Sequence, residues 1–346
     1  MNREATIIDT SHVYVSDVSE KILLQEIHRG LKFIKYKEII NEDSRIFIKP
    51  NLTYELHKPG ITTTPLVTKT VTEVLSPLVK KIYIGESDGS NYSFSADMSL
   101  RNHGVFDFAK NFSNVEVVNL SKMPRTRIVE NVCGKKVWVD LPNLLLNDID
   151  SLVSVPVLKT HAMTHGSFSI KNLWGCYPDP MRLLYHKNLD YKLALINKLV
   201  KNRIQIIDGF WALDGHGPME GTPVAANKII ISNDPVAADF SAAYLMNLDT
   251  NRIGHLKVAE RFDLGTSDIN KIQFNKEISK EKLSKFLPYK VKLDYLSILL
   301  FRSVILSKIV LSSPITPFVY VLINVFRPKE RRTYWASYNK FRKDFN

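Results

Sequence analysis

Six side chains share a setting that suits chemistry better than packing. Lys49, Glu86, Lys159, His161, Lys171 and Asp208 each close or follow an apolar run, beside proline, glycine or a small polar residue. A strand ending this way delivers charge into a cleft, whereas a packed core has little use for charge unless it is paired. Lysines bind carboxylate or phosphate, and act as bases where desolvation lowers their pKa. His161 titrates near neutrality and suits proton transfer. Glu86 fits a general base, a metal ligand or a ribose contact. The set as a whole points to proton transfer beside an anionic group, with lysines stabilising developing negative charge. Lys159, His161, Glu86 and Asp208 are the expected catalytic residues, and Lys49 and Lys171 the expected anion contacts.

Other residues read as ligand-binding support. Asn51 beyond Pro50, and Asn172 beside Lys171, offer amides that orient an oxygen. Gly215, Gly217 and Gly221 make a glycine-rich loop that lets backbone approach a ligand and present N–H groups to it. That loop is neither GxGxxG nor a P-loop, which argues against standard dinucleotide or ATP binding. Asp234-Pro235 reads as a helix N-cap followed by the first helical residue, while Asp239 lies on an Ala-rich helix face. His165 follows His161 by four positions, but Thr164, Gly166 and Ser167 oppose a helix there. Two imidazoles fall short of the three or four ligands a metal needs, so His161 and His165 are only partial candidates for a divalent metal.

The motifs also occur in a recognisable order. Ile46-Phe-Ile-Lys49-Pro50-Asn51, Thr62-Thr-Thr-Pro65, Ile84-Gly85-Glu86-Ser87, Pro156-Val-Leu-Lys159-Thr-His161, Ile170-Lys171-Asn172-Leu-Trp-Gly175 and His186 come first. Ile207-Asp208-Gly209, Gly217-Pro218 with Gly221, and Asp234-Pro235 with Asp239 follow. Over residues 40 to 250 the series resembles the family known as domain of unknown function 362. The resemblance moves His186, otherwise a lone histidine, toward the site. Many relatives carry a cysteine-rich ferredoxin-like segment. This chain has only Cys133 and Cys176, so no intrinsic iron–sulfur cluster is expected. A fold-level likeness to the nickel-pincer lactate racemases is weaker. The alternatives to an enzyme acting on an anionic small molecule are a metal- or iron–sulfur-linked redox accessory protein and a non-catalytic ligand-binding protein at a membrane surface.

Positioning such residues requires strands that end together. Apolar runs at Ala5–Ile8, Arg45–Ile48, Lys81–Ile84, Val115–Val118, Ser151–Val155, Arg203–Ile207 and Lys228–Ser232 read as strands. A hairpin is expected at Arg127–Val132 and Lys136–Val139, turned by Cys133-Gly134. Helices are expected at Val18–Gly30, Thr64–Leu78, Ser99–Asn111, Tyr191–Lys201 and Val236–Met246, with the Thr64 hydroxyl capping the second. The alternation predicts an α/β fold, a mainly parallel sheet with helices on both faces and its ligand at the carboxyl ends of the strands. Residues 1–256 would form this domain, 257–292 a polar helical connector, and 293–346 an apolar and basic helical tail.

Composition narrows the partners. The 346 residues carry a net charge of +12, but residues 290–346 alone hold 11 Lys+Arg against 3 Asp+Glu. That leaves +4 for the first 289 residues, and no nucleic-acid motif accompanies the basic end, which argues against nucleic acid as a partner. The absence of a long apolar stretch at the start points to the cytoplasm. Ile309 to Phe326 is an 18-residue uncharged run interrupted by Pro314 and Pro317, near the lower limit for a span. Basic residues with Tyr334, Trp335, Tyr338 and Phe341 follow it. Residues 293–346 are therefore expected to lie on an anionic membrane, on its cytoplasmic face, without a simple span.

Overall fold

Apolar side chains alternate between two faces along each central strand, and each face is covered by its own set of helices. The computed structural model describes residues 10–301 and 303–312. The chain opens with β1 (Ser11–Asp17), α1 (Leu23–Phe33), β2 (Arg45–Pro50), α2 (Pro65–Leu75) and β3 (Lys81–Glu86). Next come α3 (Ala96–Asn102), α4 (Val105–Ala109), β4 (Val115–Asn119), β5 (Arg125–Val132) and β6 (Lys135–Pro142). The middle holds β7 (Ser151–Val155), β8 (Val157–His161), β9 (His165–Ser167), α5 (Ser169–Asn172) and α6 (Leu189–Leu199). Then follow β10 (Asn202–Asp214), β11 (Thr222–Ser232), α7 (Pro235–Leu245), α8 (Gly254–Arg261), β12 (Ile272–Phe274), α9 (Lys292–Phe301) and α10 (Val304–Ser312).

The main sheet runs β12-β1-β11-β10-β7-β2-β3-β4, with β8 on β10 past the end of β7, and β9 on β8. Most pairings are parallel. The β1–β11, β10–β11 and β8–β9 pairings are antiparallel. Ile46, Ile48, Val153, Val155, Ile204 and Ile206 join the core beneath α1–α4. Phe47, Leu152 and Ile207, one step out of phase, join the core beneath α5–α8. This is the α/β fold that the alternating pattern implied. The β5–β6 hairpin forms a separate two-stranded sheet, as its turn residues indicated.

Several details differ from expectation for local reasons. The first helix runs through Gly30 to Phe33, and a Cβ at Gly30 would stand 2.4 Å from Ile231 Cδ1. The glycine lets α1 approach the sheet rather than ending the helix. The helix expected over 99–111 is two helices, broken at Gly104, which has φ +72°. Thr64 makes no side-chain cap; Asp208 Oδ2 accepts the Thr64 amide at 2.7 Å instead. Asp234 does cap α7, accepting the amides of Val236 and Ala237. The stretch expected as a helical connector contributes β12, which pairs with β1. Residues 1–9, with the expected strand Ala5–Ile8, lie outside the described residues, as do 313–346 with most of the apolar run and the basic end. Among the described residues no helix is long and apolar enough to cross a membrane.

Candidate functional site

β2 and β3 run in parallel register, Ile48 opposite Ile84, so their last residues meet. Lys49 Nζ lies 2.5 Å from Glu86 Oε2, and Lys49 has 0% exposure. Lys49 Nζ also donates to the Pro50 carbonyl at 2.7 Å. Glu86 accepts the amides of Leu52 and Ser87, so this buried pair has the extra hydrogen bonds it needs. Directly above it lies Gly175, where a Cβ would be 2.5 Å from Glu86 Oε1 and 2.8 Å from Lys49 Nζ. The chain can close over the pair at this point because residue 175 has no side chain.

Two further lysines approach the same place without a carboxylate partner. Lys159, buried on β8, donates to the Ile61 carbonyl at 2.9 Å. Burial first, then the charges of Lys171 and Lys49, pull its pKa well below the usual lysine range, with Glu86 opposing. Lys171 closes α5 half-buried, and burial lowers its pKa to about 8 against the pull of Asp190. Among the described residues neither lysine forms an ion pair.

Three imidazoles border these lysines. His161 ends β8, and its Nδ1 accepts the Met163 amide at 3.1 Å, which places the neutral ring's proton on Nε2. Burial, then Lys171 and Lys159, hold its pKa well below the usual value. His186 sits edge-on to Trp174 at 5.4 Å, and burial, then Lys171, lower its pKa to about 3. His255 on α8 was not anticipated from the sequence. It has 0% exposure, neither ring nitrogen has a hydrogen-bond partner, and Nδ1 is 4.0 Å from Asp190 Oδ1. Burial takes its pKa to about 3, helped by Lys171. The available signal was its place on the buried stripe of α8 with Leu256 and Ala259. Arg182 was also missed. Its buried guanidinium donates to the carbonyls of Asp88 at 2.6 Å and Tyr177 at 3.2 Å, pinning the loop before α6 against the end of β3.

The remaining expected residues hold backbone in place. Asp208 anchors the start of α2 through Thr64 and accepts the Phe210 amide at 3.0 Å, so both oxygens are engaged. Asp239 reaches across from α7 to accept the amides of Ser169 and Ile170, fixing α5 and thus Lys171. Asn172 donates to the Lys49 carbonyl at 2.9 Å and to Ser154 Oγ at 3.1 Å. Asn51 accepts the Thr53 amide, and its own amide donates to Thr63 Oγ1. Asp239 and Asn172 thus hold the segments that carry Lys171 and Lys49, while Asp208 and Asn51 hold the start of α2 and the turn after β2. His161 and His165 pair across the β8–β9 hairpin instead of sharing a helix face. Among the described residues no group of three or more His, Cys, Asp or Glu gathers to hold a metal.

The glycine-rich loop is the tip of the β10–β11 hairpin. A Cβ on Gly217 would stand 1.9 Å from the Thr160 carbonyl oxygen, and the Gly215 carbonyl accepts the Thr160 hydroxyl at 3.0 Å. The glycines therefore let the loop lie backbone-on-backbone against β8, between Lys159 and His161. Over this loop closes a clasp from the chain before and at the start of α9. His216 Nε2 is 2.7 Å from Asp294 Oδ2 and its Nδ1 is 3.1 Å from Glu220 Oε2. The Tyr289 ring stacks on His216 at 5.6 Å between centroids, and the Leu287 amide donates to Asp214 Oδ1 at 2.7 Å.

Parts of the chain are similar to known proteins. The structure of the lactate racemase apoprotein from Thermoanaerobacterium thermosaccharolyticum aligns with a TM-score of 0.44 at 13% identity, over 70% of this chain and 58% of that one. A Thermotoga maritima protein aligns with a TM-score of 0.34 at 13% identity, over 71% and 58%. A thylakoid-associated protein from Synechocystis is 31% identical over 124 residues, which are 34% of this chain and 39% of the relative's length. Residues 46–244, more than half of the chain and all six of the lysine, histidine and carboxylate positions first singled out, match the model for the Domain of unknown function DUF362, and the chain belongs to that family.

Proposed function

We propose that the chain is an enzyme that binds a carboxylate- or phosphate-bearing small molecule among Lys49, Lys159 and Lys171 and moves a proton with a neighbouring imidazole. The observation carrying this reading is that buried Lys159 and half-buried Lys171 lie at the carboxyl edge of the sheet with no ion-paired carboxylate among the described residues, Asp190 acting on Lys171 only from a distance. Charge so placed is costly until an anion arrives. A lysine of lowered pKa is a proton donor near neutral pH, and a bound anion offsets the lysine charge that helps to depress His161, so that imidazole gains basicity as the ligand arrives. His161 is the acceptor, Lys171 fixes the anion, and the Lys49–Glu86 pair holds the floor of the site. Attachment to a membrane surface through the C-terminal helices belongs to the same reading. It is supported by the exposed apolar side chains of α9 and α10 and by the name of the Synechocystis relative.

A thermal-shift screen of the full chain with acetate, malonate, inorganic phosphate and their neutral amides or esters tests the site. Anions should raise the midpoint of the wild type, and Lys159→Met and Lys171→Met should remove that rise. Incubation of a stabilising carboxylate in D2O should then exchange a carbon-bound proton, more slowly with His161→Gln. Stabilisation by the neutral compounds alone would refute the anion site, and no exchange with any stabilising acid would refute the proton transfer.

A further inference from the structure

The buried site gathers more cations than counter-charges, and the difference constrains its ligand. The register of the β8–β9 hairpin sets Lys159 opposite Ser167, and α5 begins two residues later. Lys171 on α5 is thereby brought back toward β8, where its charge acts on Lys159 more than that of Lys49 does. Asn172, the next residue, donates to the Lys49 carbonyl at 2.9 Å and ties the end of α5 to the end of β2. Three lysines from separate segments thus lie at one edge of the sheet, Lys159 and Lys49 with 2% and 0% exposure.

The carboxylates near these lysines are engaged elsewhere. Glu86 pairs with Lys49 and accepts the amides of Leu52 and Ser87, so its charge is already matched. Asp208 and Asp239 each give both oxygens to backbone amides, and burial raises both above the usual carboxylate pKa, which weakens them as counter-charges. Asp190 acts on Lys171, but its side chain is 39% exposed and solvent screens it. A ligand with one negative charge answers one lysine and leaves the other to hold charge in a dry setting without compensation, which is costly. A second negative charge on the same ligand removes that cost, and at low effective dielectric the attraction grows with the product of the charges.

We propose that the ligand of the buried site is a dianion, a phosphate monoester or a dicarboxylate, whose two charges are shared between Lys159 and Lys171. This rests on the anion-site reading above and narrows its ligand class. Both charges of the ligand then stand near His161, because Lys171 and Lys159 are the charges that act most on that ring.

Calorimetric titration of the full chain with two matched pairs tests it, at about pH 7.5, where a phosphate monoester carries close to two charges. The pairs are malonate against malonamate, and methyl phosphate against dimethyl phosphate. Within each pair the shape is similar and one negative charge is removed. In at least one pair the dianion should bind at least about tenfold more tightly than the monoanion. A preference confined to the malonate pair would assign the ligand to the dicarboxylates, and one confined to the phosphate pair to the phosphate monoesters. Asp190→Asn removes a negative charge that repels the ligand, and it should tighten the dianion more than the monoanion and so widen the gap. Equal affinities within both pairs would overturn the dianion and leave the anion site standing. No binding of any of the four compounds would overturn the anion site together with it. A gap that Asp190→Asn leaves unchanged or narrows would place the second charge away from Lys171 and overturn the sharing between the two lysines.

Discussion

A lysine in a dry setting gives up its proton more easily, and an anion placed beside it restores the charge. Lys171, whose pKa burial lowers to about 8, should therefore set the upper pH limit of anion binding. Below about 8 it is protonated and attracts the anion. As pH rises through that value the free protein loses the charge, and binding weakens. Calorimetric titration of malonate or inorganic phosphate should show affinity falling tenfold per pH unit above about 8. Lys171→Arg, charged throughout this range, should keep its affinity to higher pH, whereas a wild-type profile flat to pH 10 would place the anion elsewhere. Asp208 and Asp239 illustrate a different residue-scale lesson. In each case one carboxylate engages two backbone amides, Asp208 fixing where α2 begins and Asp239 where α5, the bearer of Lys171, begins. Replacing either would move the site rather than remove a reacting group.

Elements bring these residues together by close backbone contact, and the glycines mark where. Gly217→Ala places a methyl group 1.9 Å from the Thr160 carbonyl oxygen, a backbone atom that cannot rotate away. We expect a loss of roughly 1–3 kcal/mol, the range for overpacking, read as a lower urea midpoint together with weaker anion stabilisation. An unchanged midpoint would show that the loop does not press on β8. Such contacts explain what the sequence disclosed and what it withheld. Lys49, Glu86 and Lys159 were legible because each ends or interrupts an apolar run, and strand ends in parallel sheets converge. Gly30 was misread because a glycine that ends a helix and one that admits a neighbour look alike in one dimension. The roles of Asp208 and Asp239 were hidden because the helix starts they hold lie 144 and about 70 positions away. His255 was hidden because the run of recognisable motifs ends before α8.

Across the whole molecule, buried neutral imidazoles tie stability to pH. The pKa of His255, lowered to about 3 by burial, lies below its unfolded value of about 6.5. The unfolded chain therefore binds the extra proton, and stability falls as pH drops from about 6.5 toward 3. His103, lowered to about 4, and His186, lowered to about 3, act in the same direction. Asp234, raised to about 6 by burial, acts oppositely: its folded form holds a proton longer, so its contribution declines as pH rises from about 3.8 to 6. The net curve thus mixes both signs, and a difference isolates one group. Urea midpoints of the wild type and His255→Gln, compared from pH 4 to 6, should differ in slope by about one proton. Parallel curves would mean that His255 is not held neutral. The clasp on His216 acts at the same scale. Asp294 belongs to the first turn of α9, and Tyr289 and Leu287 precede it, so one stretch of chain grips the hairpin tip that rests on Thr160. Tension on α9 is thereby a pull on the strand that carries Lys159 and His161, and the C-terminal helices and the buried lysines form one mechanical linkage rather than two neighbouring parts.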